Sequence, residues 1–237
     1  SSITGTMTLG STSSGILTFT KGQTFIWTRR SPPHMMATTH VLVGVAIAAS
    51  LSLVSPELSL WAVAGAAAGG AFPDLDLYVG HRKTLHFPVY YPVLAAGAAL
   101  ALVVAPSPWL WAVTLFLAAA AAHSLMDAFG GGLELRPWEG TSRQAVYSHY
   151  HGRWIPPRRW IRYDGAPEDL GLALFVALPS LAAFDGSLEL AVISLLGVSA
   201  VYVVLRKPMV AVAEWAVERI PHPLRGRLPH RFVEDLT

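Results

Sequence analysis

Residues 109–129 have the sequence WLWAVTLFLAAAAAHSLMDAF, an apolar run in which the only ionisable side chains are His123 and Asp127. The run reaches the ~20 residues that a helix needs to cross the hydrocarbon core of a bilayer. His123 and Asp127 are four residues apart, so on a helix their side chains share one side. Ionisable groups within an apolar helix are costly unless they are matched, so this pair is a candidate functional site.

Five further apolar segments accompany this run, at residues 40–54, 58–72, 87–105, 169–184 and 188–205. Their Ala, Leu and Gly content favours helices over a barrel, because a backbone in lipid must satisfy its own hydrogen bonds. Over the 237 residues, 53% are hydrophobic and 14% are charged, against about 25% charged in a typical soluble domain. We therefore predict an all-α fold, a multi-pass transmembrane bundle of about six helices.

The two ends of the chain differ in composition from its centre. Residues 1–35 are rich in Ser, Thr and Gly, which predicts a disordered leader or a mis-assigned start. Residues 36–207 form the predicted membrane domain. Within residues 208–237, apolar and charged side chains first alternate at near-helical spacing, which predicts a C-terminal amphipathic interfacial helix followed by a basic tail.

The loops fall into two kinds. Loops 55–57, 106–108 and 185–187 are short and contain no Lys or Arg, whereas loops 73–86 and 130–168 are long and basic. Six crossings place the long loops and both termini on one face, which then carries all 17 Lys and Arg residues. By the positive-inside rule that face is cytoplasmic. We expect an inner or plasma membrane protein with both termini in the cytoplasm and membrane lipids as partners.

Composition also narrows the chemistry. The pI is near 9.0, but the formal net charge is only +2 and there is no long basic run, so we expect no nucleic-acid partner. Cysteine is absent, so a transition-metal site must use His, Asp or Glu. No G-x-S-x-G motif occurs, which argues against covalent acyl catalysis.

The predicted topology brings six polar side chains to the same level beneath the cytoplasmic face. They are His40, Asp74, Asp76, His86, His123 and Asp127. Mixed imidazole and carboxylate ligands favour a divalent transition metal over calcium, with zinc first and manganese or iron as alternatives. The set is large enough for one ion or two. Either Asp74 or Asp76 is a candidate general base, or a group that orients a liganding histidine.

Four sequence stretches carry a resemblance to a known family. They are THVL at 39–42, FPDLD at 72–76, GHR at 80–82 followed by His86, and AHSLMD at 122–127. In this order and spacing they resemble the YdjM-type family of membrane-bound hydrolases, whose metal dependence is itself a prediction. The resemblance implies a multi-pass inner-membrane hydrolase. Its implied site contains the metal ligands His40, Asp74, His86, His123 and Asp127 and the catalytic residues Asp76 and His81.

The long loops supply candidates for substrate binding. His149 and His151 are candidates for a lid that adds ligands or a general acid, and Arg153 belongs to an arginine group whose guanidinium forks match phosphate oxygens. We assign these three residues and Arg82 to substrate binding. The alternative for the arginines is an interfacial belt of aromatic and basic side chains that holds the loop against lipid headgroups.

The favoured hypothesis is a membrane-embedded, metal-dependent hydrolase in which a metal-activated water attacks an ester or phosphoester, with a lipid or lipid-linked molecule as substrate. One alternative is a metal-ion transporter, but the ionisable residues gather at one membrane face rather than along a path. The other alternative is a non-catalytic membrane scaffold.

Overall fold

A computed structural model describes residues 6–9, 14–18, 24–28, 35–55, 59–134 and 136–219. Its main elements are six helices. They are α1 Ala37–Ser52, α2 Leu60–Ala71, α3 Tyr90–Val104, α4 Pro108–Met126, α5 Pro167–Ala183 and α6 Ser187–Arg219. Each helix falls on one of the predicted apolar segments, so the mostly helical fold is confirmed.

The helix α6 differs from the prediction at its C-terminal end. The sequence predicts a break after the sixth apolar segment and a separate amphipathic helix, whereas α6 continues through Pro208 to Arg219 as one helix of 33 residues. A proline inside a helix removes one backbone hydrogen bond and kinks or breaks many helices. The helix nevertheless continues past Pro208, so the predicted amphipathic segment is the C-terminal part of α6 and not a separate helix.

The described residues also include five short strands. Strands β1 Thr6–Leu9, β2 Ser14–Thr18 and β3 Thr24–Thr28 form an antiparallel sheet in the order β1-β2-β3. They lie within the segment for which the sequence predicts a disordered leader. Strands β4 Val146–Ser148 and β5 Arg153–Ile155 form an antiparallel hairpin in the long loop between α4 and α5, where the sequence predicts no regular element.

The chain divides into two compact units. One comprises Ser1–Ser31 with Ala211–Thr237, and the other is Pro32–Val210. The second unit contains the helices α1 to α5, the hairpin and most of α6. A 3₁₀ helix, Phe72–Tyr78, follows α2 directly and carries the FPDLD sequence.

Glycines let the helices of this second unit approach closely. A Cβ atom at Gly65 would collide with the carbonyl oxygen of Ala112, and a Cβ at Gly69 with that of Phe116, so α2 lies directly against α4. On another side of α2, a Cβ at Gly70 would lie 2.5 Å from the carbonyl oxygen of His40 in α1. Small residues at helix interfaces permit such backbone contacts. These contacts position the first turn of α1 and the last turn of α4 around the end of α2.

Two of the described helices are long and apolar enough to cross a membrane. They are Pro108–Met126 and, within α6, Ser187–Ala216. The apolar helices Ala37–Ser52 and Tyr90–Val104 are shorter. The length and composition of these two helices thus support an association with a membrane.

Candidate metal centre

Five side chains from four parts of the chain converge at the cytoplasm-facing end predicted for the helices. His40 lies in the first turn of α1, His123 in the last turn of α4, and Asp127 directly after α4. Asp74 comes from the 3₁₀ helix after α2, and His86 from the connection that leads to α3. These five residues are the predicted metal ligands.

The distances between their ligand atoms suit a bound cation. His86 Nε2 lies 2.9 Å and His123 Nε2 lies 3.7 Å from Asp127 Oδ2, and His40 Nε2 lies 3.5 Å from Asp127 Oδ1. His123 Nε2 is also 3.4 Å from Asp74 Oδ1. Metal–ligand bonds of about 2.0–2.1 Å in a tetrahedron place neighbouring ligand atoms about 3.3 Å apart.

The ligand atoms form two overlapping groups. One contains His40, His123 and Asp127, and the other contains Asp74, His86 and His123, each with its ligand atoms within 4.8 Å of one another. His123 belongs to both groups, and its Nε2 has a single lone pair, so His123 can ligate one ion at a time, with either group.

Within the part of the chain that the structure describes, several atoms of this group have no hydrogen-bond partner. They are both ring nitrogens of His40, Nε2 of His86, Nε2 of His123 and both carboxylate oxygens of Asp127. These four side chains are almost completely buried, at 0–1% exposed. Buried polar atoms nearly always have a partner, and lone pairs that converge on one point are the arrangement that a cation requires. The residues present therefore fit a divalent metal ion.

Hydrogen bonds fix the orientation of two of the imidazoles. His123 Nδ1 donates to the carbonyl oxygen of Gly70 at 2.6 Å, and His86 Nδ1 donates to Asp76 Oδ2 at 3.0 Å. With the proton on Nδ1, the Nε2 atom of each ring presents a lone pair to the centre. Metal-binding histidines commonly donate their second ring N–H to a carbonyl or carboxylate in this way.

Asp76 holds the loop that carries His86. Its Oδ1 accepts from His81 Nδ1 and from the backbone N–H of Arg82, at 3.0 and 3.2 Å, and its Oδ2 accepts from His86 Nδ1 and the Leu85 N–H, both at 3.0 Å. Burial alone would raise the pKa of this carboxyl, but the hydrogen bonds from His81 and His86 outweigh it and hold the pKa well below its usual range. Asp76 therefore stays ionised and positions histidines.

The two loop histidines respond to Asp76 differently. Burial lowers the pKa of His81, despite its hydrogen bond to Asp76. Burial also acts to lower the pKa of His86, but the neighbouring carboxylates of Asp127 and Asp76 outweigh it and raise the pKa to about 9 in the metal-free chain. His81 is thus neutral at pH 7, whereas His86 is in its charged, doubly protonated form at pH 7 as long as no cation is bound.

Arg82 points into the protein. It is fully buried, its Nη2 lies 3.3 Å from Asp127 Oδ1, and its Nη1 donates to the carbonyl oxygen of Gly131 at 2.9 Å. The arginine that the sequence assigns to substrate binding therefore neutralises a ligand carboxylate and joins the two loops. Its contact with a substrate stays a prediction.

The remaining predicted substrate residues lie in the hairpin β4–β5. The His149 ring packs 4.7 Å from the ring of Phe87, and its Nε2 donates to the carbonyl oxygen of Lys83. His151 Nδ1 bonds Ser148 Oγ at 2.9 Å, and Arg153 is exposed. None of the contacts described for these three residues joins them to the five ligand side chains, so substrate binding by the hairpin stays a prediction.

Asp169 is a buried residue of the site region that the sequence analysis does not single out. Its carboxylate accepts from the Met36 N–H at 2.9 Å and from Thr39 Oγ1 at 2.8 Å. It thereby anchors the first turn of α1, next to His40. The only hint of this role in the sequence is the position of Asp169, an acidic residue at the start of the fifth apolar segment. An acidic residue is also common in the first turn of a helix without any such role.

Comparison with protein-family models, curated proteins and solved structures gives no match to this chain. Its own geometry therefore defines the class: a mostly helical protein with a buried His/Asp group that could hold a metal ion.

Proposed function

We propose that this protein is a membrane-embedded, metal-dependent hydrolase of the YdjM type. The convergence of five ligand side chains from separate parts of the chain, with several ligand atoms buried and lacking hydrogen bonds, carries the proposal. Such groups are costly to bury without a partner, so an arrangement of this kind fits a function better than a role in folding alone.

The proposed fold crosses the membrane six times, with the metal centre and both termini at the cytoplasmic face. Large apolar side chains on α3 and α6 support this, since Val103, Val104 and Val204 are 83%, 85% and 72% exposed. Helix α1, with 16 residues, is about 24 Å long at ~1.5 Å per residue, which is shorter than the ~30 Å hydrocarbon core. The bilayer around the short helices is therefore locally thinned.

Each group of the site takes a distinct part in the proposed mechanism. His40, Asp74, His86, His123 and Asp127 hold the ion, with zinc favoured and manganese or iron as alternatives. A bound divalent ion would lower the pKa of a water ligand towards ~7 and polarise an ester or phosphoester oxygen. Asp76 positions His86 and His81, and His81, neutral at pH 7, is the acid–base candidate. Arg82 balances the charge of Asp127.

Metal analysis of detergent-purified protein tests the proposal. We expect one or two zinc, manganese or iron ions per chain in the wild type and a strong loss in His123→Ala and Asp127→Ala. Asp185→Ala is the control, because this exposed acidic residue lies in the α5–α6 turn and is not among the proposed site residues. Monodisperse elution verifies folding in each variant. A wild type that stays metal-free after reconstitution with each ion would refute the mechanism.

Hydrolysis of small chromogenic substrates then tests the activity. We expect the metal-loaded wild type to cleave bis(4-nitrophenyl) phosphate or 4-nitrophenyl acetate, and His123→Ala to lose that activity. A metal-loaded wild type that cleaves neither compound would favour a metal-binding scaffold.

A further inference from the structure

A cavity of about 210 Å³ lies beside the metal centre. Asp74 and His81 form its wall on the side of the centre, and the apolar side chains of Met35, Leu77 and Val198 form much of the remainder. Whole ligand sites usually measure about 300–1,000 Å³, so a cavity of this size holds part of a larger molecule.

The exposure of the ligands points to this side as the approach to the metal centre. Asp74 has a side chain that is 20% exposed, whereas those of His40, His86, His123 and Asp127 are 0–1% exposed. A substrate that reaches the centre must therefore arrive next to Asp74, where the cavity is.

The outer rim of the cavity is apolar and accessible. Leu77 and Val198 are 42% and 57% exposed, and Val198 belongs to α6, one of the two helices long enough to cross a membrane. An apolar chain in a bilayer beside α6 would enter the cavity without passing through water, so its apolar surface would stay in apolar surroundings throughout.

One carboxylate in the cavity lining, that of Asp164, adds selectivity. Asp164 is buried, and its Oδ2 accepts hydrogen bonds from Tyr202 Oη and Arg206 Nε, while its Oδ1 has no hydrogen-bond partner among the described residues. A carboxylate oxygen accepts from a donor such as a hydroxyl and repels an anionic group.

We infer that this cavity binds an uncharged aliphatic chain that carries a hydroxyl group, as the part of the substrate next to the bond that is cleaved. That the bound chain is part of a substrate rests on the proposed function, whereas the binding of the chain to the cavity is independent of catalysis. It assigns a hydroxylated lipid or lipid-like ester as the substrate class.

The first test uses Co²⁺-loaded protein, whose visible absorption reports ligands that bind the ion. We expect octanohydroxamate to bind more than tenfold tighter than acetohydroxamate, since each buried methylene strengthens binding about fourfold. Val198→Trp fills the cavity and removes this difference without changing the affinity for acetohydroxamate. The control is Val201→Trp on the same helix, where the valine is 58% exposed and does not line the cavity. Equal affinities for the two hydroxamates in the wild type would overturn the inference.

The second test needs no metal. A photoreactive diazirine derivative of octanol should label Met35 and Leu77, and excess octanol should prevent this labelling more effectively than octyl methyl ether, which has no donor. Val198→Trp, or Ala37→Phe if the tryptophan variant does not fold, should abolish the labelling. Labelling that octanol does not displace would overturn the cavity assignment, and equal displacement by the ether would overturn the hydroxyl. Failure to bind Co²⁺ refutes the metal centre alone and leaves this second test decisive.

Discussion

Asp76 contributes no ligand atom, yet the geometry of the centre depends strongly on this residue. Its two oxygens accept four hydrogen bonds from the loop of residues 81–86, two from imidazoles and two from backbone N–H groups. Each imidazole that donates to it has one ring nitrogen committed, so the other nitrogen is directed away from Asp76. The carboxylate therefore determines both the position and the tautomer of His86.

Removal of the charge of Asp76 should weaken metal binding without abolishing it. In Asp76→Asn the amide nitrogen cannot accept from an imidazole, so one of the two histidines loses its partner. We expect the affinity for zinc to fall about 10–100-fold, the usual effect of losing such an outer contact. Competition with a chromophoric chelator measures it. The control is Asp185→Asn, at an exposed acid in the α5–α6 turn, and equal affinities in both variants would contradict the assignment.

His86 makes the stability of the metal-free protein depend on pH. Its pKa in the folded chain is raised to about 9, above the ordinary value of 6.5, so the proton stabilises the folded state. This contribution is complete below pH 6.5 and is lost as the pH rises to about 9. We expect the melting temperature of metal-free protein to fall over this interval, and the fall to shrink in His86→Gln. A fall of the same size in both proteins would show that another group is responsible.

At the scale of the elements, α2 acts as a spacer that brings α1 and α4 together. Gly70 touches the backbone of His40 and Val41 on one side, and its carbonyl oxygen accepts from His123 on the other. Because both ligand-bearing helices contact the same residue, the spacing of their ligands depends on a position that has no side chain.

Gly70→Ala should therefore disturb both folding and metal content. The added Cβ would lie 2.5 Å from the His40 carbonyl oxygen and 2.9 Å from Val41 Cα, so α1 must move. We expect a loss of about 1–3 kcal/mol in stability, as for other overpacked sites, together with reduced zinc content. Gly97→Ala is the control, because its Cβ would meet no atom within 4 Å and alanine favours a helix by up to about 1 kcal/mol. Thermal unfolding of both variants measures the loss of stability, and metal analysis measures the loss of zinc.

The helices, and the His/Asp residues that the structure brings together, can be predicted from sequence for a physical reason. Long apolar runs define the helices, and ionisable residues such as His123 stand out within them because burying them is costly. The contacts of Asp169 with Met36 and Thr39 join residues more than 120 positions apart, and no local pattern encodes such a pairing. The hairpin β4–β5 was missed because its two strands have only three residues each. The inward direction of Arg82 depends on loop packing, which no pattern in the sequence reveals.

At the scale of the whole molecule, charge is distributed unevenly between two sets of connections. The turns at 55–57, 106–108 and 185–187 contain no Lys or Arg, whereas the connections that carry the metal centre are basic. Such an asymmetry would orient the protein with the centre at the cytoplasmic face. Local changes in bilayer thickness can accommodate both the short helices and the long α6.

The absence of cysteine allows this orientation to be tested directly. Asp185→Cys places a thiol in an exposed short turn, and Arg143→Cys places one at an exposed position in the long loop. We expect a membrane-impermeant maleimide to label Asp185→Cys in intact cells and Arg143→Cys only after lysis, because the bilayer separates the two positions in the six-pass arrangement. A permeant maleimide verifies that both thiols are reactive. If the impermeant reagent labels both positions, or only Arg143→Cys, in intact cells, the proposed cytoplasmic location of the metal centre is wrong, and a substrate must reach it from the opposite side.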